Sequence, residues 1–143
     1  LEKIDLGIKD EKDLLFAIVD TFEMKPYFRV PKSKENLLLK QLQIEFEMLG
    51  IKEVEIYDDY EMLDKYFTYL ILNDWINEVE EQELNTKFGI LPGVLHNKLV
   101  IAEWLGYAIE ILSQIKGKDS LKELVKNLRK RLKYGVKDVL LLL

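Results

Sequence analysis

From the Pro92–Gly93 break to Gly117 the chain meets only one further glycine, Gly106, and no second proline. The run reads as one long helix that opens at the break and extends to about Lys116. It is apolar round most of its circumference, so it is expected inside a helical domain rather than on top of one. That requirement narrows the fold more than anything else in the sequence. The remaining segments have to be elements that can wrap a helix.

Glycines supply most of the punctuation. Gly7, Gly50, Gly89, Gly93, Gly117 and Gly135 fall between periodic segments, and only Gly106 lies within one. Helices commonly end at glycine because it enters the left-handed conformation without a Cβ clash. Leu14, Leu15, Ile18, Val19 and Phe22 form the apolar stripe of a first helix, from about Asp10 to Met24. Pro26 and Pro31 then hold Tyr27 to Val30 extended. Ser33 is placed to cap a second helix through Leu37, Leu38, Gln41, Ile44, Glu45 and Met48. Asp58 and Asp59 open a third, favoured at a helix N-terminus by the dipole. This helix carries Met62, Tyr66, Tyr69, Leu70, Asn73 and Ile76. A short acidic helix from Glu80 to Phe88 precedes the long one. Ser120 is placed to cap a sixth, with Leu121, Leu124, Val125, Leu128 and Leu132 on one face, and a last piece follows Gly135. Val54 to Tyr57 has strand character but no second strand to pair with. The expected fold is all-α, about seven helices around one long central helix, in a single domain spanning residues 1–143.

The chain has 143 residues, room for one proper core and not for two comfortable ones. Cysteine is absent, which removes disulfides and thiolate metal sites and fits a reducing cytoplasm. No apolar run approaches the ~18 residues of a membrane span, and no signal peptide is visible. The terminal Val139-Leu-Leu-Leu-Leu143 is much shorter than a span, and four uncovered leucines read as a cut from a longer polypeptide. The net charge of −5 is unevenly spread. Residues 1–86 hold 10 Lys/Arg against 21 Asp/Glu, and residues 87–143 hold 11 against 5. An acidic shell and a basic face on one domain follow from that split.

Catalytic constellations are missing. There is no glycine-rich phosphate loop ending in Gly-Lys-Ser/Thr. Asp58-Asp-Tyr-Glu61 reads as N-terminal helix charge rather than a metal box. Glu78, Glu80, Glu81 and Glu83 crowd one bend with no His or Cys close in sequence, so they read as a solvated acidic turn. His96 is the only histidine, which excludes a Cys/His nucleophilic pair and a histidine metal cluster. The chain is therefore read as non-catalytic on its own, with no catalytic, metal or cofactor-binding residue assigned.

Binding is what remains. Lys122, Lys126, Arg129, Lys130 and Lys133 recur at steps of three and four opposite the leucines of the sixth helix, and Lys116, Lys118, Arg131 and Lys137 widen the stripe. Such a stripe suits a nucleic-acid backbone, and it is also what any amphipathic helix turns to water. On the long helix, Asn97 and Trp104 share a face two turns apart. A Trp there either packs in the core or stacks on a base of a single strand.

Four separated pieces tie these residues to a known family. They are Asn73-Asp-Trp-Ile-Asn-Glu78, Lys87-Phe-Gly-Ile-Leu-Pro-Gly-Val-Leu95, Ala102-Glu-Trp-Leu105 and Arg131-Leu-Lys-Tyr-Gly-Val-Lys-Asp138. In order and spacing the chain resembles the ratchet domain of the Hjm-type archaeal DNA repair helicases, superfamily two enzymes related to the helicase part of DNA polymerase theta. The match is clearest from Tyr60 to Leu141. The resemblance implies a fragment of an ATP-dependent helicase moving 3′ to 5′ on single-stranded or forked DNA in repair and replication-fork processing. In such a helicase ATP and magnesium belong to motor domains upstream, and a helix-hairpin domain follows downstream. The resemblance makes Trp104 the stacking residue. Asn97 and His96 stand where the family carries arginines, and Val94 stands where it usually has an aspartate. Lys98 follows next in the chain, and Lys126, Arg129, Lys130 and Lys133 would lend charge. The competing reading is a non-catalytic protein-interaction module whose acidic half, including Glu80 and Glu83, meets a partner.

Overall fold

The computed structural model describes residues 10–49 and 60–135. Among these the chain is all-α. The helices are α1 (Glu11–Val19), α2 (Glu35–Leu49), α3 (Tyr60–Ile76), α4 (Glu81–Phe88), α5 (Pro92–Ile115) and α6 (Asp119–Tyr134). Two short 3-10 turns, Phe22–Met24 and Lys32–Lys34, lie between α1 and α2. The expected stops at Gly7 and Gly50, the strand at Val54 to Tyr57, the Asp58–Asp59 helix start and the piece after Gly135 lie outside the described residues.

The first helix ends earlier than its apolar stripe suggests. Asp10 caps it by accepting a hydrogen bond from the Asp13 N–H at 3.0 Å. At the other end the Thr21 hydroxyl donates to the Ile18 carbonyl at 2.8 Å. Threonine offers the backbone this local alternative to the helical ladder, and the chain leaves the helix there. Tyr27 fixes the turn by donating to the Thr21 carbonyl at 3.1 Å. Phe22, expected in the core, is consequently 79% exposed, and Met24 is fully buried.

The irregular stretch between the prolines is held by α3. The Phe28 N–H donates to the Thr68 hydroxyl at 2.9 Å, and the Val30 N–H donates to the Asp64 carboxylate at 3.0 Å. Side chains of a helix thus satisfy backbone groups that no ladder serves. Ser33 lies within the second 3-10 turn, two residues before α2, rather than at a helix cap. Ser120 is likewise inside α6, whose cap position is Lys118.

Interior burial of the long helix holds on one side only. Leu95, Leu99, Ala102, Gly106, Ile109 and Ser113 of α5 are buried, while Val100, Trp104, Tyr107, Ile111 and Ile115 are exposed. The helix enclosed on all sides is α3. Tyr66, Phe67, Thr68 and Tyr69 are four consecutive buried residues, which in a helix point in every direction. Helix α5 instead forms a hairpin with α6, the two joined by residues 116–118, with Gly117 at φ 70°.

The α3 tyrosines make stability depend on pH. Tyr66 stacks on Tyr69 with ring centres 6.1 Å apart, and Phe16 meets Tyr69 edge-on at 5.7 Å. Burial raises both phenol pKa values above the ordinary range, and the Glu45 carboxylate adds to the effect. Unfolded phenols ionise from about pH 10. The native state then holds more protons than the unfolded state, so stability falls as pH rises beyond that point, by about 1 kcal/mol per phenol from pH 10 to 11. Burial lowers the Lys98 pKa, which acts in the opposite sense and is common to any tyrosine variant. Urea unfolding at pH 10 and 11 should show a smaller loss in Tyr69→Phe than in the wild type. Equal losses would mean that Tyr69 ionises freely in the folded protein.

Candidate nucleic-acid interface

Helix α5 starts without a side-chain cap and is covered on one face only. Pro92 occupies the first helical position, where its missing N–H costs nothing. Leu91 at the cap makes no side-chain hydrogen bond. The buried face packs against α6, α1 and the first 3-10 turn, which leaves the opposite face open. Along that open face run Asn97, Val100, Trp104, Tyr107, Ile111 and Ile115. Trp104 is 61% exposed. It shares an open cleft of about 460 Å3 with Val100, Ile101, Phe22, Glu23 and Lys25. The expected pairing of Asn97 and Trp104 on one face is present, and both residues are exposed.

The structure separates the other expected residues. Lys98 turns inward, is 7% exposed, and donates from Nζ to the Met24 carbonyl, so it does not reach the open face. His96 is exposed but tied sideways, with Nε2 2.5 Å from Glu81 Oε1 and its ring edge-on to Trp75 at 6.2 Å. The acidic bend therefore does have a histidine beside it, brought by α5 from fifteen residues away. No group of three metal-ligating side chains occurs among the described residues.

On α6, Lys126, Lys130 and Lys133 are exposed. Arg129 is half-buried and engaged by Glu110, with Glu103 3.9 Å away. Its guanidinium lies 4.8 Å from the centre of the Tyr107 ring. Arg131 is buried and belongs to a different cluster, bound to Glu11 and to the Ile76 carbonyl at 2.9 Å. The basic stripe is thus narrower than the sequence suggests, since two of its arginines are spent on internal partners. Tyr107 and Phe22 are the aromatic residues that sequence reasoning missed beside Trp104. Tyr107 was accessible to it, three residues after Trp104 on the same helix face. Phe22 gave the opposite signal, because its spacing was that of the core.

The family model for archaeal helicase, domain 4, matches residues 13–135, most of the chain. The chain belongs to this family. The domain 4 chain is 36% identical over 130 residues to the ATP-dependent DNA helicase Hel308 of Methanocaldococcus jannaschii, covering 91% of this chain and 10% of that protein. It is 35% identical over 140 residues to Hel308 of Pyrococcus horikoshii, covering 93% of this chain and 19% of that protein. With Hel308 of Methanococcus vannielii the identity is 28% over 131 residues, covering 90% of this chain and 16% of that protein. The domain 4 chain therefore spans a tenth to a fifth of the length of these curated relatives. It corresponds to a domain of a DNA helicase. No helix among its described residues is long and apolar enough to cross a membrane.

Proposed function

We propose that this domain guides single-stranded DNA in an archaeal 3′ to 5′ helicase acting in repair and replication-fork processing. The observation that carries this reading is Trp104, an indole 61% exposed at the middle of a largely apolar open helix face. A ring this exposed is available to stack on a base, and each such stack contributes roughly 1–3 kcal/mol without regard to sequence. Asn97, two turns earlier on the same face, supplies neutral hydrogen-bonding groups to backbone or base edge. Lys126, Lys130 and Lys133 on the adjoining helix supply charge for phosphates. His96, at the start of the track, would reach a strand only by giving up its contact with Glu81. The domain's partners on this reading are the forked or single-stranded DNA and the motor and helix-hairpin domains of the same helicase. ATP and magnesium act in those motors, and this domain turns nothing over itself.

The test is a fluorescence titration with oligo-dT at low salt. Trp75 is half-buried and donates from its indole to the Leu132 carbonyl at 2.7 Å, so quenching should report chiefly on Trp104. Binding should weaken as salt rises, and a labelled oligomer should bind Trp104→Ala at least about 5-fold more weakly. Affinity unchanged in that variant would rule the reading out.

A further inference from the structure

We infer that Tyr107 is a second base-stacking platform beside Trp104, and that Arg129 holds its ring in place instead of binding phosphate. This rests on the single-strand reading above and extends it to a residue and a strand conformation. Tyr107 is 49% exposed on the open face of α5. The Arg129 guanidinium stands 4.8 Å from its ring centre. A cation over one face of the ring is attracted to it and holds its orientation, while the residue stays half exposed.

The Arg129 position is built in from three sides. Its Nη1 donates to Glu110, and Glu103 lies 3.9 Å from Nη2. Gly106 provides the space, since a Cβ there would lie 2.8 Å from Arg129 Cγ. With two carboxylates around it, the guanidinium charge is largely compensated within the protein. That suits a ring support and not a phosphate contact, which falls to the exposed lysines of α6.

The spacing also selects the ligand's shape. Side chains three residues apart on a helix start from Cβ atoms about 5–6 Å apart. Bases stacked in a strand are about 3.4 Å apart. Two platforms at helical spacing therefore hold neighbouring bases only when the strand is drawn out of its own stack. The site is suited to an unstacked single strand and not to a duplex.

The experiment measures anisotropy of labelled oligo-dT across a salt series, using the 143-residue chain and its variants. Tyr107→Ala should weaken binding roughly 5- to 100-fold, and Tyr107→Phe should bind like the wild type. Arg129→Gln should also weaken binding while leaving the slope of log K against log salt unchanged. A slope reduced by about 0.7 in Arg129→Gln would make Arg129 a phosphate ligand and overturn its assigned role. Wild-type affinity in Tyr107→Ala, with Trp104→Ala still defective, would overturn the second platform and leave the single-strand function standing. Wild-type affinity in Trp104→Ala would remove that function and this inference together. Should Arg129→Gln melt early, the tyrosine variants decide the platform alone, because Tyr107 lies on the surface.

Discussion

Arg131→Ala should lower the unfolding free energy by about 3–5 kcal/mol, the range for breaking a buried ion pair by removing one partner. Arg131 is 7% exposed and pairs with Glu11 in the first turn of α1. Its Nη2 also donates to the Ile76 carbonyl at 2.9 Å and lies 3.3 Å from Asn77 Oδ1. One guanidinium thus joins the end of α6 to the start of α1 and the end of α3. Alanine would leave a carboxylate and a helix-terminal carbonyl without this donor, and the surrounding protein keeps water from replacing it fully. Lys130→Ala, at an exposed neighbour, should change stability by about 0.5 kcal/mol or less. Urea denaturation of the two variants makes the comparison, and similar losses in both would refute the clasp. Adding Glu11→Met to Arg131→Met should recover part of the loss, since it removes the carboxylate that Arg131 compensates.

Gly135→Ala should cost about 2–3 kcal/mol, from two separable causes. Gly135 ends α6 at φ 62°, a left-handed conformation that costs an L-residue roughly 1–2 kcal/mol. In addition, a Cβ there would lie 2.9 Å from both Cε2 and Cζ2 of Trp75. That ring is rigid, and its indole N–H is committed to the Leu132 carbonyl. Moving it sacrifices a hydrogen bond worth about 1 kcal/mol. Gly117 is the internal control, with φ 70° and no atom within 4 Å of a built Cβ. Gly117→Ala should therefore show only the backbone cost. If thermal melts give the two variants the same loss, the contact with Trp75 contributes nothing.

Both predictions concern residues whose importance the sequence shows only in part. Trp75 and Arg131-Leu-Lys-Tyr-Gly135 lie in two of the four pieces that carry the family resemblance. Their mutual contact is across 57 residues, between Trp75 and Leu132, and no periodicity reports it. Arg131 looks in sequence like one more member of a basic stripe. Its burial follows from the packing of α6 against both α1 and α3, which depends on all three helices at once. Phe22 errs in the other direction. Its spacing is that of the core, but the Thr21 hydroxyl diverts the chain one turn too early.

The long helix shows where local pattern stops. Its apolar content correctly announces a helix from Pro92 to Ile115 and sets Asn97 and Trp104 on one face. The same content wrongly suggests enclosure, since apolar residues on a helix do not say which neighbours cover them. Helical periodicity, glycine stops and proline breaks are local, and from these the sequence by itself determined an all-α chain, most helix positions and the side chains that share each face. Which face is left open, which cation is free and which is paired, and which aromatic meets solvent depend on residues far apart in the chain. Tertiary packing alone decided that Lys98 and Arg131 turn inward, that Arg129 supports Tyr107, and that Trp104 stands exposed.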